Sequence, residues 1–324
     1  MEASPILETR DLKKYYPVTK GIIPRPVDWV RAVDGVSFKI MPATTLGLVG
    51  ESGCGKTTLG RLILRLINPD SGNILFDGKD ISSLKKGKMR SFRKDMQIIF
   101  QDPFGSLNPR FTVHDIVGEG LKVFNLCESK KVLQQKVVEL LDMVGLPGNI
   151  LNRYPHEFSG GQRQRLGIAR ALALNPRFIV CDEPVSSLDV SIQAQVINLL
   201  QSIKEKLKLS YLFISHDLSV VYHVSDYVAV MYRGQIMEYA RGEDVYTKAL
   251  HPYTKALLSA IPAIGKNDAD NNVILEDEGS KPSDNYSQGC VFCDRCPYIK
   301  DECKENAPHY NEKMPGHFVR CHFA

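Results

Sequence analysis

At 324 residues and 36.3 kDa, with 43% apolar and 24% charged residues, the chain suits one large domain or a main domain with an appendage, and extensive disorder is excluded. No run approaches the roughly 20 apolar residues of a membrane span; the most apolar region, Tyr211 to Tyr232, is broken by His216, Asp217, His223 and Asp226. The net charge of +4 conceals an acidic end, with 7 Lys/Arg against 11 Asp/Glu over residues 265–324, and the mildly basic remainder suits a phosphate ligand or a membrane-facing surface but is too weak for nucleic acid.

The N-terminal MEASPILETRDLKK lacks the apolar core of a signal peptide, so a soluble, cytoplasmic chain is expected. In chain order, TTLGLVG (44–50), MQIIF (96–100), RFIVCD (177–182), YLFIS (211–215) and DYVAVMY (226–232) are short β-branched runs fit for buried strands. They alternate with helix-period stretches over the first 264 residues, which predicts an α/β domain around a mostly parallel sheet. Ser191 to Leu207 sets Ile192, Val196, Leu199, Leu200, Ile203 and Leu207 on one helical stripe. DYVAVMY and QIMEYA, joined by Arg233-Gly234, predict a hairpin at a sheet edge. The polar, acidic stretch 265–288 reads as a linker between a domain over 1–264 and a small cysteine-bearing module over 289–324.

GESGCGKTT (50–58) matches G-x-x-x-x-G-K-[ST] directly after a predicted strand and before the helix-like LGRLILRL. Gly50, Gly53 and Gly55 permit positive φ, so successive N–H groups can converge on phosphate oxygens. The helix N-terminus adds partial positive charge at the same place. Lys56 then reaches the β and γ phosphates, and the Thr57 hydroxyl is a ligand for Mg²⁺. FIVCDEP (178–184) supplies the carboxylate such a loop needs: Asp182 at a strand end to hold the metal through its water shell, followed by Glu183 to orient and deprotonate an attacking water. Cys54 lies inside the loop, where its side chain either points away or has its pKa lowered by the nearby lysine and helix N-terminus.

Between these two motifs, EFSGGQRQRLGIARALALNPR (157–177) closely resembles the signature segment of the ATP-binding-cassette (ABC) ATPases, with Phe158 where leucine is more usual. The family pattern, matched over about residues 7–260, implies a cassette with a RecA-like core, a helical signature subdomain and a β subdomain. It implies an ATP site of Tyr16, Gly50, Ser52, Gly53, Cys54, Gly55, Lys56, Thr57 and Thr58. Tyr16 fits the aromatic that stacks on adenine, with Tyr15 the alternative. Mg²⁺ is expected on Thr57, Gln101 and Asp182, and hydrolysis is expected to use Glu183, with Gln101 and His216 sensing the γ phosphate. Ser159, Gly160, Gly161 and Gln162 begin a helix that presents a second nucleotide surface, by resemblance for a partner's ATP; Asp189 falls in the family's D-loop.

QDPFGSLNPRFTV (101–113), HPYTKALLSAIP (251–262), GC-x-F-x-x-RCP (289–297) and YPVTKGIIPRPVDWVRAVDGVSF (16–38) resemble the peptide/nickel-type importer branch, and within it the F-type ATPase of dipeptide and oligopeptide permeases. The branch implies two transmembrane permease subunits, a second and non-identical ABC ATPase, an extracytoplasmic solute-binding protein, no nucleic acid, and a peripheral position on the cytoplasmic face of the membrane. Segment 101–113 is the candidate permease contact. Peptides are the expected cargo, with nickel or another small solute the alternative. A soluble cassette ATPase of translation or DNA repair would carry two cassettes or a long coiled-coil insertion, and an exporter half would lack the branch segments quoted.

Five of the eight cysteines fall at C-x2-C-x2-C-x6-C-x17-C spacing from Cys290 to Cys321. In a reducing cytosol such clustering reads as a metal site, an iron–sulfur cluster or tetrahedral zinc, rather than as disulfides. Members of the branch carry cysteine where Cys290, Cys296, Cys303 and Cys321 stand, and some hold a four-iron cluster there, which makes [4Fe-4S] the expected cofactor and Cys293 the spare thiol. Cys127 and Cys181 read as core or incidental, and His309, His317 and His322 as surface residues.

Overall fold

The computed structural model describes residues 4–20, 25–260 and 288–324. Strand β1 (Leu7–Lys20) pairs antiparallel with β2 (Arg25–Ile40), from Leu7 opposite Ile40 out to Lys20 opposite Arg25. β3 (Thr45–Val49) leads into α1 (Lys56–Ile63), and β4 (Ser71–Phe76) returns to the free edge of β1 with β5 (Lys79–Asp80) beside it. α2 (Lys86–Asp95) and β6 (Met96–Ile99) follow, then three helices, α3 (Val113–Val123), α4 (Lys130–Met143) and α5 (Gly160–Leu172). β7 (Phe178–Asp182), α6 (Val190–Leu207), β8 (Ser210–Ile214), α7 (Leu218–Val224) and β9 (Tyr227–Tyr232) continue the α/β alternation. The chain then forms β10 (Gln235–Arg241), α8 (Gly242–Thr247), α9 (Pro252–Ser259), α10 (Asp301–Glu305), β11 (Asn311–Met314) and β12 (His317–Val319).

Among the described residues the strands form two sheets, an antiparallel one ordered β2-β1-β4-β5 and a second ordered β11-β12-β10-β9-β3-β8-β7-β6. In the second, β9, β3, β8, β7 and β6 are mutually parallel. The five predicted strands all lie in that parallel set, and the predicted hairpin turns at Arg233 and Gly234, both at positive φ, but it does not form a sheet edge, because β12 and β11 extend the sheet beyond β10. β3, β7 and β8 are buried along their whole length, as strands covered on both faces are. Alternate residues serve two cores. Leu48, Val180 and Ile214 join α1 and the antiparallel sheet in one, while Val49, Cys181 and Phe213 join α3 to α7 in the other.

The end of the chain adds to the same sheet: Glu238 of β10 stands opposite Val319 of β12, and Tyr239 opposite Phe318. His317, expected at the surface, is instead 2% exposed, with Nε2 2.7 Å from Glu238 Oε1. The reason is the fully buried Glu238 carboxylate, which needs partners once removed from water; it also accepts from the N–H groups of Leu250 and His251. The linker expected over 265–288 lies, but for its last residue, outside the described residues.

Candidate functional site

Because β3, β6, β7 and β8 are parallel, their C-terminal ends open onto one edge of the sheet, where ligands of open α/β sheets bind. Four segments meet there: the glycine loop after β3, Gln101 after β6, Glu183 after β7 and His216 after β8. They line a cleft of about 1360 Å³.

The loop's backbone is dictated by crowding. Gly50, Gly53 and Gly55 have φ of +151°, +78° and +111°. A Cβ would fall 2.1 Å from the Met231 carbonyl oxygen at Gly50, and 2.0 Å from that of Ala32 at Gly55, so no side chain fits at either. The buried Lys56 ammonium donates to the Gly50 and Glu51 carbonyls at 2.7 and 2.8 Å. Cys54 Sγ is 3.8 Å from Lys56 Nζ. Burial pushes this thiol's pKa up, and the nearby lysine offsets the rise only in part.

Below the loop, the Thr57 hydroxyl donates to Asp182 Oδ1 at 2.9 Å. Burial raises the Asp182 pKa, with the Thr57 hydrogen bond and then the charges of Arg61 and Lys56 opposing it. A hydroxyl and a carboxylate beside a phosphate site form the sparse, all-oxygen donor set that suits Mg²⁺, which takes its remaining ligands from phosphate and water. Across the cleft, Gln101 Nε2 donates to Glu183 Oε2 at 2.9 Å, and His216 Nδ1 lies 3.4 Å from the same oxygen. Gln101, Glu183 and His216, separate in sequence, thus form one cluster. Glu183 holds φ of +45°, unusual outside glycine, with its N–H bonded to the Ile214 carbonyl.

Tyr16 lies on the cleft wall, whereas the Tyr15 hydroxyl is tied to Asp34 Oδ1 at 2.5 Å. Trp29 of β2 is also on the wall, 54% exposed, a placement that no local motif marks. Ser159, Gly160, Gly161, Gln162 and Asp189 do not line the cleft. Ser159 caps α5 in a reciprocal pair with Gln162, and Asp189 occupies the position just before α6. Both Ser159 and Gln162 are exposed.

The tail cysteines lie together without forming a cage. The Cys290 N–H donates to the Cys303 carbonyl at 2.7 Å. Burial pushes the Cys290 thiol up to about 12, and Cys293, Cys303 and Cys296 add to the rise. Cys290, Phe292, Cys293 and Cys303 are part of the apolar core instead. Among the described residues no group of three or more His, Cys, Asp or Glu side chains is placed to hold a metal ion. The expected [4Fe-4S] cluster on Cys290, Cys296, Cys303 and Cys321, and its zinc alternative, therefore lack support in the geometry, since either needs about four converging ligands.

The family model described as ABC transporter matches residues 33–186, and the one described as oligopeptide/dipeptide transporter, C-terminal region, matches 237–303. The chain is 54% identical over 320 residues to an oligopeptide transport ATP-binding protein, AppF, of Bacillus subtilis, covering 98% of this chain and 97% of that one. Among solved structures, the ATP-binding cassette MJ0796, a dimer in a post-hydrolysis state bound to ADP and Pi, superposes with a TM-score of 0.65 at 25% identity, covering 72% of this chain and 98% of that one. The cassette cbiO1 of Clostridium perfringens, part of the transporter complex cbiONQ, gives 0.64 at 26%, covering 75% and 91%. A likeness that runs through nearly the full length of both chains at more than half identity settles membership: this chain belongs to the ABC transporter family and is one of its ATP-binding, ATP-hydrolysing subunits.

Proposed function

We propose that the chain is the motor subunit of an importer of oligopeptides. The observation that carries this reading is the match of residues 237–303 to the C-terminal region of oligopeptide/dipeptide transporters, in a chain collinear with an oligopeptide transport ATP-binding protein. ATP binds on the glycine loop, its phosphates held by loop N–H groups and Lys56, with Tyr16 against the base. Thr57 and Asp182, with Gln101 from across the cleft, would hold Mg²⁺, which would neutralise phosphate charge. Glu183 orients the attacking water and takes its proton, while Gln101 and His216 report the γ phosphate to the rest of the fold. The exposed α5 N-terminus, which does not line this chain's own cleft, supports a role for Ser159–Gly160–Gly161–Gln162 at the ATP of a second cassette. ATP then acts by favouring a closed pair of cassettes, a population shift that the permeases convert into alternating access.

No helix among the described residues is long and apolar enough to cross a membrane. In the proposed assembly two permeases supply the membrane path. Segment 101–113 suits the contact with them: Phe104 and Phe111 are 63% and 38% exposed beside Gln101. A solute-binding protein and a sibling ATPase complete the assembly. Purification of the tagged chain from detergent-solubilised membranes, with its companions identified by mass spectrometry, tests this. Two permeases and a second ATPase are expected. Recovery of the chain alone, or with ribosomes, would leave the ATPase and remove the importer. The four-iron cluster rests on the spacing of the cysteines and their shared neighbourhood; iron and acid-labile sulfide in anaerobic protein decide it, and their absence would leave packed thiols.

A further inference from the structure

Glu51 is an acidic residue within a loop that receives a polyphosphate, and the structure shows what offsets it. Arg295 Nη1 lies 2.8 Å from Glu51 Oε2, although the two residues are 244 positions apart in the chain. Their side chains are only 16% and 24% exposed, so the pair is partly shielded from solvent screening. The Glu51 backbone is engaged as well: its N–H donates to the Tyr253 hydroxyl at 3.1 Å and its carbonyl accepts from Lys56 at 2.8 Å.

Arg295 is itself rigidly mounted. It ends the 3₁₀ turn Cys293–Arg295, with its N–H bonded to the Phe292 carbonyl. Its guanidinium lies over the Tyr232 ring, 5.8 Å from the centroid. Tyr232, Tyr253 and Phe292 pack mutually at centroid separations of 4.7 to 5.4 Å, which fixes the turn against β9 and α9. This turn and the residues just before it place Cys290, Val291, Cys293 and Asp294 on the wall of the cleft.

We propose that Arg295 is a positioning residue of the ATPase: it anchors and neutralises Glu51, holds the phosphate loop in its receiving curvature, and so makes the cysteine-bearing tail a determinant of nucleotide affinity. The proposal rests on the reading of the cleft as the ATP site. A carboxylate without its arginine would oppose the incoming phosphates and be free to draw the loop away from them.

Titration calorimetry of the full-length chain with Mg-ATP, together with steady-state ATPase kinetics, tests this. Arg295→Ala should raise Kd and KM about tenfold, with a far smaller change in kcat, and Arg295→Lys should fall between it and the wild type. Removing the stranded charge should repair the loss, so Arg295→Ala/Glu51→Gln should bind better than Arg295→Ala alone, a rescue that a purely structural arginine would not show. Wild-type affinity in Arg295→Ala, or failure of Glu51→Gln to restore any of it, overturns the proposal. Should Arg295→Ala not fold, Arg295→Gln with and without Glu51→Gln decides the same question with the side-chain volume kept. Lys56→Ala separates the two levels: if it loses Mg-ATP while the Arg295 variants do not, only this inference falls; if it binds as the wild type does, the reading of the cleft falls first.

Discussion

Glu183 holds a backbone conformation that most residues avoid, at a cost on the order of 1 kcal/mol. The surroundings impose it: the N–H is bonded to the Ile214 carbonyl of the neighbouring strand, and the Ser186 hydroxyl donates to the Glu183 carbonyl at 3.2 Å. The Glu183 carboxylate meets Gln101 and His216, while the buried Asp182 meets the Thr57 hydroxyl. Two adjacent acids thus acquire different surroundings, one beside a hydroxyl and one against an amide and an imidazole. If Glu183 is the base, Glu183→Gln should keep Mg-ATP binding while turnover falls about 10²–10⁴-fold, measured by calorimetry and phosphate release. Near-normal turnover would move the base elsewhere. The order Asp-Glu after an apolar run was enough to single out both residues; the positive φ and the shared contact oxygen depend on β8 and on the loop after β6, which no local pattern reports.

Helix α5 explains how the loop after β6 is held. The Arg170 guanidinium donates to the Ser106 carbonyl at 2.6 Å, and Arg163 stacks over Phe104 at 3.8 Å. The helix that presents Ser159 at one end therefore grips the exposed segment proposed to meet the permeases, so that a shift of one is felt by the other. Helix α9 contributes a different device. Its first position is Pro252, preorganised for a helix start, and its cap is the buried His251, whose Nδ1 accepts from the Tyr253 N–H at 3.0 Å. Burial lowers the His251 pKa to about 4. The folded chain therefore takes up this proton less readily than the unfolded one, and stability is lost as pH falls from the ordinary histidine value of 6.5 toward 4, by up to about 3 kcal/mol. Urea unfolding across that window should show the slope, and His251→Asn, which can still cap the helix, should flatten it. An unchanged slope in the variant would assign the pH dependence to other groups.

The tail is tied to the larger sheet through the buried strand β10. The Glu238–His317 pair joins β10 to β12, and Arg320 adds a backbone hydrogen bond to Met237 at 2.8 Å. His317→Ala should lower unfolding free energy by about 3 kcal/mol, because it leaves a buried carboxylate short of a partner; chemical denaturation measures it. Glu238→Gln in the same background should recover part of the loss, since the neutral amide costs less to bury. A loss below about 0.5 kcal/mol would mean that the tail is not held through this pair.

The parallel strands and the phosphate loop were legible because their signals are local. A strand buried on both faces is a continuous apolar run, and a backbone wrapped around phosphate needs glycines at set intervals followed by lysine and a hydroxyl. The amphipathic helix at 190–207 and the hairpin at Arg233-Gly234 follow the same logic of period and turn chemistry. Cysteine spacing alone suggests a small metal-bound module, and a histidine in a polar stretch suggests the surface. Tertiary structure instead set β12 into the main sheet, sank His317 against Glu238 across 79 positions, and placed Arg295 on the phosphate loop across 244. Spacing records only what neighbours along the chain can do together, while a charge withdrawn from water takes whatever partner the tertiary fold brings within reach.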